Sequence, residues 1–132
     1  MGFILSIIAY ALFIPVAIIN FLVVMYKNIR LQGFFKAMNN YWFLNALEID
    51  VWTNSHFKTT WNTLLRRKNG HAFGGEGETI SSALGKNQRD RDLSTMGWIV
   101  VGILFIIDFK YWLKGGHCLN SIDRVAPQTL EK

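Results

Sequence analysis

The chain has 132 residues, 51% of them hydrophobic and 14% aromatic, with 14 Lys and Arg against 9 Asp and Glu for a net charge of +5. That length fits one small domain, or a membrane anchor carrying a modest extramembrane part. The single cysteine, Cys118, excludes an intramolecular disulfide and with it a disulfide scaffold.

The apolar residues are gathered at the N-terminus and again around 96–113, with a polar, basic stretch between. This is the layout of a membrane protein, not of a soluble domain with one distributed core. Ten of the 14 basic residues lie between Lys27 and Arg91. Beside an apolar segment, attraction to anionic headgroups and the setting of topology account for such an excess, so the lipid bilayer is the expected partner and nucleic acid is not.

From Gly2 to Tyr26 there is no charged residue and no histidine. As a helix these residues reach ~37 Å against a hydrocarbon thickness of ~30 Å, which predicts transmembrane helix 1 over 2–26. Pro15 is tolerated in membrane helices. Asn20 serves either an interhelical hydrogen bond or sits near the interface as a tolerated polar group. A cleaved signal peptide is the rival account. The run lacks a basic n-region and exceeds a normal h-region, so an uncleaved anchor is expected. Lys27, Arg30 and Lys36 follow the helix, which places the N-terminus outside and the central region in the cytoplasm.

Residues 27–69 read as amphipathic aromatic and basic helices. One is expected over 34–51, interrupted by Thr53-Asn54-Ser55, and a second from Phe57 to Arg67. Trp42, Trp52 and Trp61 suit headgroup level, where an apolar ring with a polar N–H finds a wet partner. The alternative is that such aromatics pack on one another in a small helical core. Residues 70–93 hold a glycine-rich turn, a short helix from Thr79 to Leu84 with Gly85 as its left-handed stop, and a solvated charged connector from Lys86 to Asp92. A phosphate-loop reading of Gly74-Gly75-Glu76-Gly77-Glu78 fails, because no Lys-Ser/Thr follows and the glutamates would repel phosphate.

Met96 to Ile107 is charge-free over twelve residues, too few to span alone; Ser94 to Leu113 gives a 20-residue transmembrane helix 2 with Asp108 inside its end. The apolar residues outweigh that aspartate's insertion cost of ~2.5–3.5 kcal/mol at the centre, less near the interface. Tyr111 and Trp112 supply an interfacial belt, and Asp108 is either a functional intramembrane carboxylate or snorkels beside Lys110. An interfacial helix over 94–113 is the alternative to a span. Residues 114–132 form a polar tail. The expected fold is therefore an all-α membrane protein: two transmembrane helices joined by interfacial or cytoplasmic helices and a glycine-rich turn.

Metal-ligand candidates are His71, His117 and Cys118 with the acids Glu76 and Glu78, but adjacent His-Cys is no zinc spacing and His71 is remote in sequence. No nucleophile has an evident base, so no catalytic residue, cofactor or metal is expected. Cys118 could accept a palmitoyl chain or remain a plain juxtamembrane thiol.

The run Gly74-Gly75-Glu76-Gly77-Glu78-Thr79-Ile80-Ser81-Ser82-Ala83-Leu84-Gly85-Lys86, followed by His117-Cys118, resembles a pattern in small proteins of tailed bacteriophages and prophages, over residues 60–123. The chain departs in a much more apolar helix before His-Cys. No activity attaches to that family; the resemblance implies a phage-encoded protein at the host membrane, with Glu78, Thr79, Ser81, Ser82, Gly85, Lys86, His117 and Cys118 as motif residues. The reading is a non-enzymatic inner-membrane protein acting by association with itself or with another membrane or virion protein. A holin-like pore former is the first alternative and a metal-dependent enzyme the second.

Overall fold

A computed structural model describes residues 2–122, and among these the chain is all-helical apart from one isolated bridge between Arg66 and Leu93. The expected tail at 114–132 thus falls partly outside the described residues. The chain divides into two compact units, one ending at Asn45 and the other beginning at Ala46.

The first unit is built from helix α1, Gly2–Gln32, and the opening half of α2, Phe34–His56. Leu, Ile, Phe and Ala dominate α1, and Pro15 lies inside it without ending it. The helix is long and apolar enough to cross a membrane by length and composition, and it runs six residues past the expected end at Tyr26. It stops at Gly33, whose φ of +81° side-chain-bearing residues disfavour. The chain then turns back, and Met25, Ala37 and Tyr41 form a small core with Phe21, Val24 and Met38. Phe21 meets the Tyr41 ring edge-on at 5.0 Å. An amide relay follows the turn, with Asn40 donating to Gln32 at 3.0 Å and Gln32 to Asn28 at 3.4 Å.

The second unit holds the rest of α2, then α3 (Lys58–Leu64), α4 (Ile80–Asp90), α5 (Thr95–Ile107) and two short 3-10 helices, Phe109–Lys114 and Leu119–Ser121. Three expected boundaries move. Thr53-Asn54-Ser55 does not interrupt α2: the Thr53 hydroxyl donates to the Ile49 carbonyl, and Asn54 is engaged elsewhere in the unit, so neither competes with the helix backbone. Gly85 does not stop α4. It lies mid-helix, and the left-handed stop is Arg91 at φ 60°, whose N–H bonds the Asn87 and Gln88 carbonyls. The stretch from Lys86 is accordingly helical as far as Asp90, and Asn87 is fully buried.

The third boundary is in α5. Ser94 caps it through Gly97 N–H at 3.1 Å, and the helix ends at Asp108, where φ −101° and ψ 68° leave helical space. Its 13 residues measure ~20 Å. The core of the unit gathers Leu65, Phe73, Ala83, Leu84, Leu93, Val101 and Cys118, with Trp61, Ile80, Val100 and Leu104 packed against it.

Candidate functional site

The motif residues converge at the start of α4. Thr79 has extended backbone and its hydroxyl accepts from Ser82 N–H at 3.0 Å, a local N-cap that begins the helix. Asp50, from α2, takes two further groups at the same end: Ile80 N–H donates to its Oδ1 and the Ser81 hydroxyl to its Oδ2, each at 3.0 Å. A carboxylate near a helix N-terminus is favoured by the exposed N–H groups and the helix dipole. The Ile80 and Ser82 N–H groups are taken by the chain's own oxygens, and Asp50 and Glu78 place two carboxylates there, so this end of α4 does not favour a further anion.

Glu78 is the hub. Its Oε2 lies 2.9 Å from His71 Nε2, its Oε1 lies 2.9 Å from Lys86 Nζ, and the Ser82 hydroxyl donates to Oε1 at 3.2 Å. Burial acts to raise the Glu78 pKa, but the hydrogen bonds and charges of His71 and Lys86 outweigh it and hold the carboxyl below its ordinary value of 4.5. The glycine-rich turn is pinned from α2 and α3 as well. Asn54 donates to the Glu78 carbonyl at 2.8 Å and accepts from Gly74 N–H at 3.1 Å. Asn62 clasps both backbone groups of Phe73, donating to its carbonyl at 3.0 Å and accepting from its N–H at 2.9 Å. Asn87 reaches back from α4 to the His71 carbonyl at 2.9 Å.

No protein-family model, curated protein or solved structure matches this chain.

His117 and Cys118 lie at a different corner. His117 Nδ1 stands 2.6 Å from Asp108 Oδ2, and the Tyr111 ring meets the imidazole edge-on at 6.1 Å. Cys118 is 1% exposed and packs against Gly85 of α4. Burial, together with the nearby Asp50 charge, pushes its thiol up to about 12, which leaves it protonated and inert. Of the two readings, an acylated thiol or a plain one, the buried position favours the plain thiol, since the sulfur is not presented to an acyl donor. The two histidines therefore have separate carboxylate partners, and among the described residues no three of His, Cys, Asp and Glu are placed to hold a metal ion. Asp108, expected to sit within a span, is the residue that ends α5 and binds His117.

The arrangement acts as a fastener: Ser82 is 2% exposed and donates to the Glu78 carboxylate. What the cluster does is fix a loop of poor intrinsic propensity by joining α2, α3 and α4 through buried polar bonds.

The expected interface anchors separate. Trp42 and Trp52 are exposed, the first against Phe21 and Tyr41 and the second stacked on His56 at 4.6 Å. Trp61 turns inward, packing on the core while its indole N–H donates to the Thr53 carbonyl at 3.0 Å; it follows the small-core alternative. Tyr111 is half-buried beside His117, and Trp112 is exposed. Asn20 lies on the exposed surface of α1.

Nothing local marks Asp50 or Asn62 by itself as a site residue, and Asn54 stands out in the sequence only as part of an expected break. The available signal is the pairing of Asp50 with Asn54, since positions i and i+4 place them on one helix face. Their partners lie 20 to 31 residues away, which no local pattern encodes.

Proposed function

We propose that this chain is a small, non-enzymatic integral membrane protein, phage- or prophage-encoded, that carries a folded head on a single retained anchor at the bacterial inner membrane. The head acts by association, with a second copy or with another membrane or virion protein. The observation that carries this reading is α1: Phe3, Leu5, Phe13, Ile14 and Ile19 are each more than half exposed, and none of its apolar window is buried inside the protein. An apolar helix uncovered on all sides in water would aggregate, whereas a hydrocarbon environment satisfies it without further partners.

The end of that exposed stretch supports the same reading. Phe21, Tyr41 and Trp42 gather where α1 begins to pack against α2, and Tyr26 lies under Arg30 a turn further along, which suits the headgroup level. Lys27, Arg30 and Lys36 follow, giving an N-terminus outside and a cytoplasmic head. The second expected crossing is not part of this proposal, because the helix it needs ends at Ile107.

Expression in bacteria tests it. The full chain should stay in the membrane fraction after carbonate washing, with intact mass including residues 2–26, and cross-linking in cells should trap a dimer or a defined heteromer. Recovery of a chain shortened at its N-terminus would show a signal sequence instead. Recovery of uncross-linked monomers only would remove the association role.

A further inference from the structure

α5 is the most apolar helix of the second unit, yet only one side of it is covered. Gly97 and Val101 are buried, and Val100 and Leu104 pack on the core. Ile99, Gly102, Ile103 and Ile106 recur at i, i+3, i+4 and i+7 and form the opposite, exposed face. Beyond Asp108, Phe109 and Leu113 are also exposed, the latter fully.

Both ends of α5 are tied to the same unit. At its start, Ser94 N–H donates to the Leu65 carbonyl at 3.0 Å and Arg66 bridges Leu93. At its end the chain folds back: Trp112 stacks on Phe105 with ring centroids 6.0 Å apart, although seven helical residues would separate them by ~10 Å. His117 then returns to Asp108, and Cys118 docks on α4. A helix crossing the bilayer would deliver these two ends to opposite aqueous phases. At ~20 Å it is also shorter than the ~30 Å hydrocarbon core.

Basic side chains lie near both ends of the helix. Arg67 and Lys68 are exposed beside the start of α5, and Lys110 and Lys114 are exposed after its end. An apolar strip between cationic ends is the surface expected of a helix that lies in the bilayer plane, with its hydrocarbon side sunk ~5–10 Å below anionic headgroups.

We propose that the second unit is a monotopic membrane-binding module, which seats the outer face of α5 and the following 3-10 helix flat in an anionic bilayer surface. The occupant is lipid, and that choice rests on the membrane reading of α1. In this seating the glycine-rich turn and the Glu78 cluster belong to a head held against the bilayer, not on a free tether.

The full chain, reconstituted in vesicles of phosphatidylcholine and phosphatidylglycerol, tests this with a nitroxide placed singly at four positions. Buried Cys118 is left in place and unlabelled. A label at Ile103→Cys should collide several-fold more readily with oxygen than with a water-soluble nickel chelate, at a shallow depth. Labels at Thr95→Cys and Lys114→Cys should both be reduced by ascorbate added to one and the same side. A label at Phe13→Cys reports on the anchor independently, and should be deep. Opposite-side reduction at 95 and 114 would make the segment a span and overturn the proposal. A water-exposed label at 103 with a deep label at 13 overturns the docking while leaving the anchor. A water-exposed label at 13 overturns the anchor itself. Exclusion of both collision agents at 103, with dipolar broadening between copies, assigns the face to a second copy and likewise overturns lipid docking.

Discussion

A Cβ on Gly85 would stand 2.2 Å from the carbonyl oxygen of Cys118, and 2.7 Å from its carbonyl carbon. This close approach of α4 to the chain after α5 joins the two halves of the motif, the run ending at Lys86 and the His-Cys pair. The obstacle is backbone, which cannot swing aside as a side chain can. Gly85→Ala should therefore cost about 1–3 kcal/mol, despite alanine's better helix propensity. Gly102→Ala is the matched control, since nothing lies within 4 Å of its added methyl. It should be neutral or stabilise slightly. Chemical denaturation of both variants in detergent, followed by circular dichroism, checks the contrast.

Cys118 should resist maleimide in the native protein and react only on unfolding. It is 1% exposed, and its pKa of about 12 leaves almost no thiolate at neutral pH. Mass spectrometry after labelling with and without denaturant reads the outcome. Rapid native labelling would refute the packing of Cys118 on α4.

Acid should loosen the head in a window set by Glu78. Its carboxyl is held below 4.5 in the folded chain, so the ionised form contributes stability above that value, and the contribution is lost as pH falls through the lower, folded-state pKa. Glu78→Gln cannot ionise: it loses the ion pair with Lys86, and its amide offers one acceptor oxygen where the carboxylate offers two. It should cost about 1–3 kcal/mol at neutral pH and flatten the acid limb of stability against pH. Denaturation midpoints across mildly to strongly acidic buffers test both parts.

Asn54 is fully buried and satisfies two backbone groups of the glycine-rich turn, Glu78 carbonyl and Gly74 N–H. Asn54→Ala leaves both without a partner. It should destabilise the second unit by ~2–6 kcal/mol, at about 1–3 kcal/mol for each of the two stranded groups. Amide exchange at Gly74 should rise in this variant before global unfolding does.

The broad helical class was legible in the sequence, because it follows from local composition and periodicity. Twenty-five residues without a charge can only be a long apolar helix, and Thr79 and Ser94 announce the starts of α4 and α5 through hydroxyls that bond three residues ahead. The glycine-rich turn was equally plain from its residues. What local pattern misjudged were endings and partners. Gly85 looks like a helix stop until Cys118 is seen to need the space. Thr53-Asn54-Ser55 looks like a break until Asn54 is seen holding a loop 20 to 24 residues away. Asp50, unnoticed within an aromatic helix, is the carboxylate that finishes the motif's N-terminus.

The same division applies to the two apolar segments. The sequence alone determined α1 as a helix long and apolar enough to cross a membrane, because its length and lack of charge are properties of the segment itself. For residues 94–113 hydropathy gives the same sign and little more. Only the tertiary structure decided that this stretch ends at Asp108, doubles back through Trp112, and returns His117 and Cys118 to the unit it left. Hydropathy counts how much apolar surface a segment owns, but which side of it is already covered depends on residues remote in the chain.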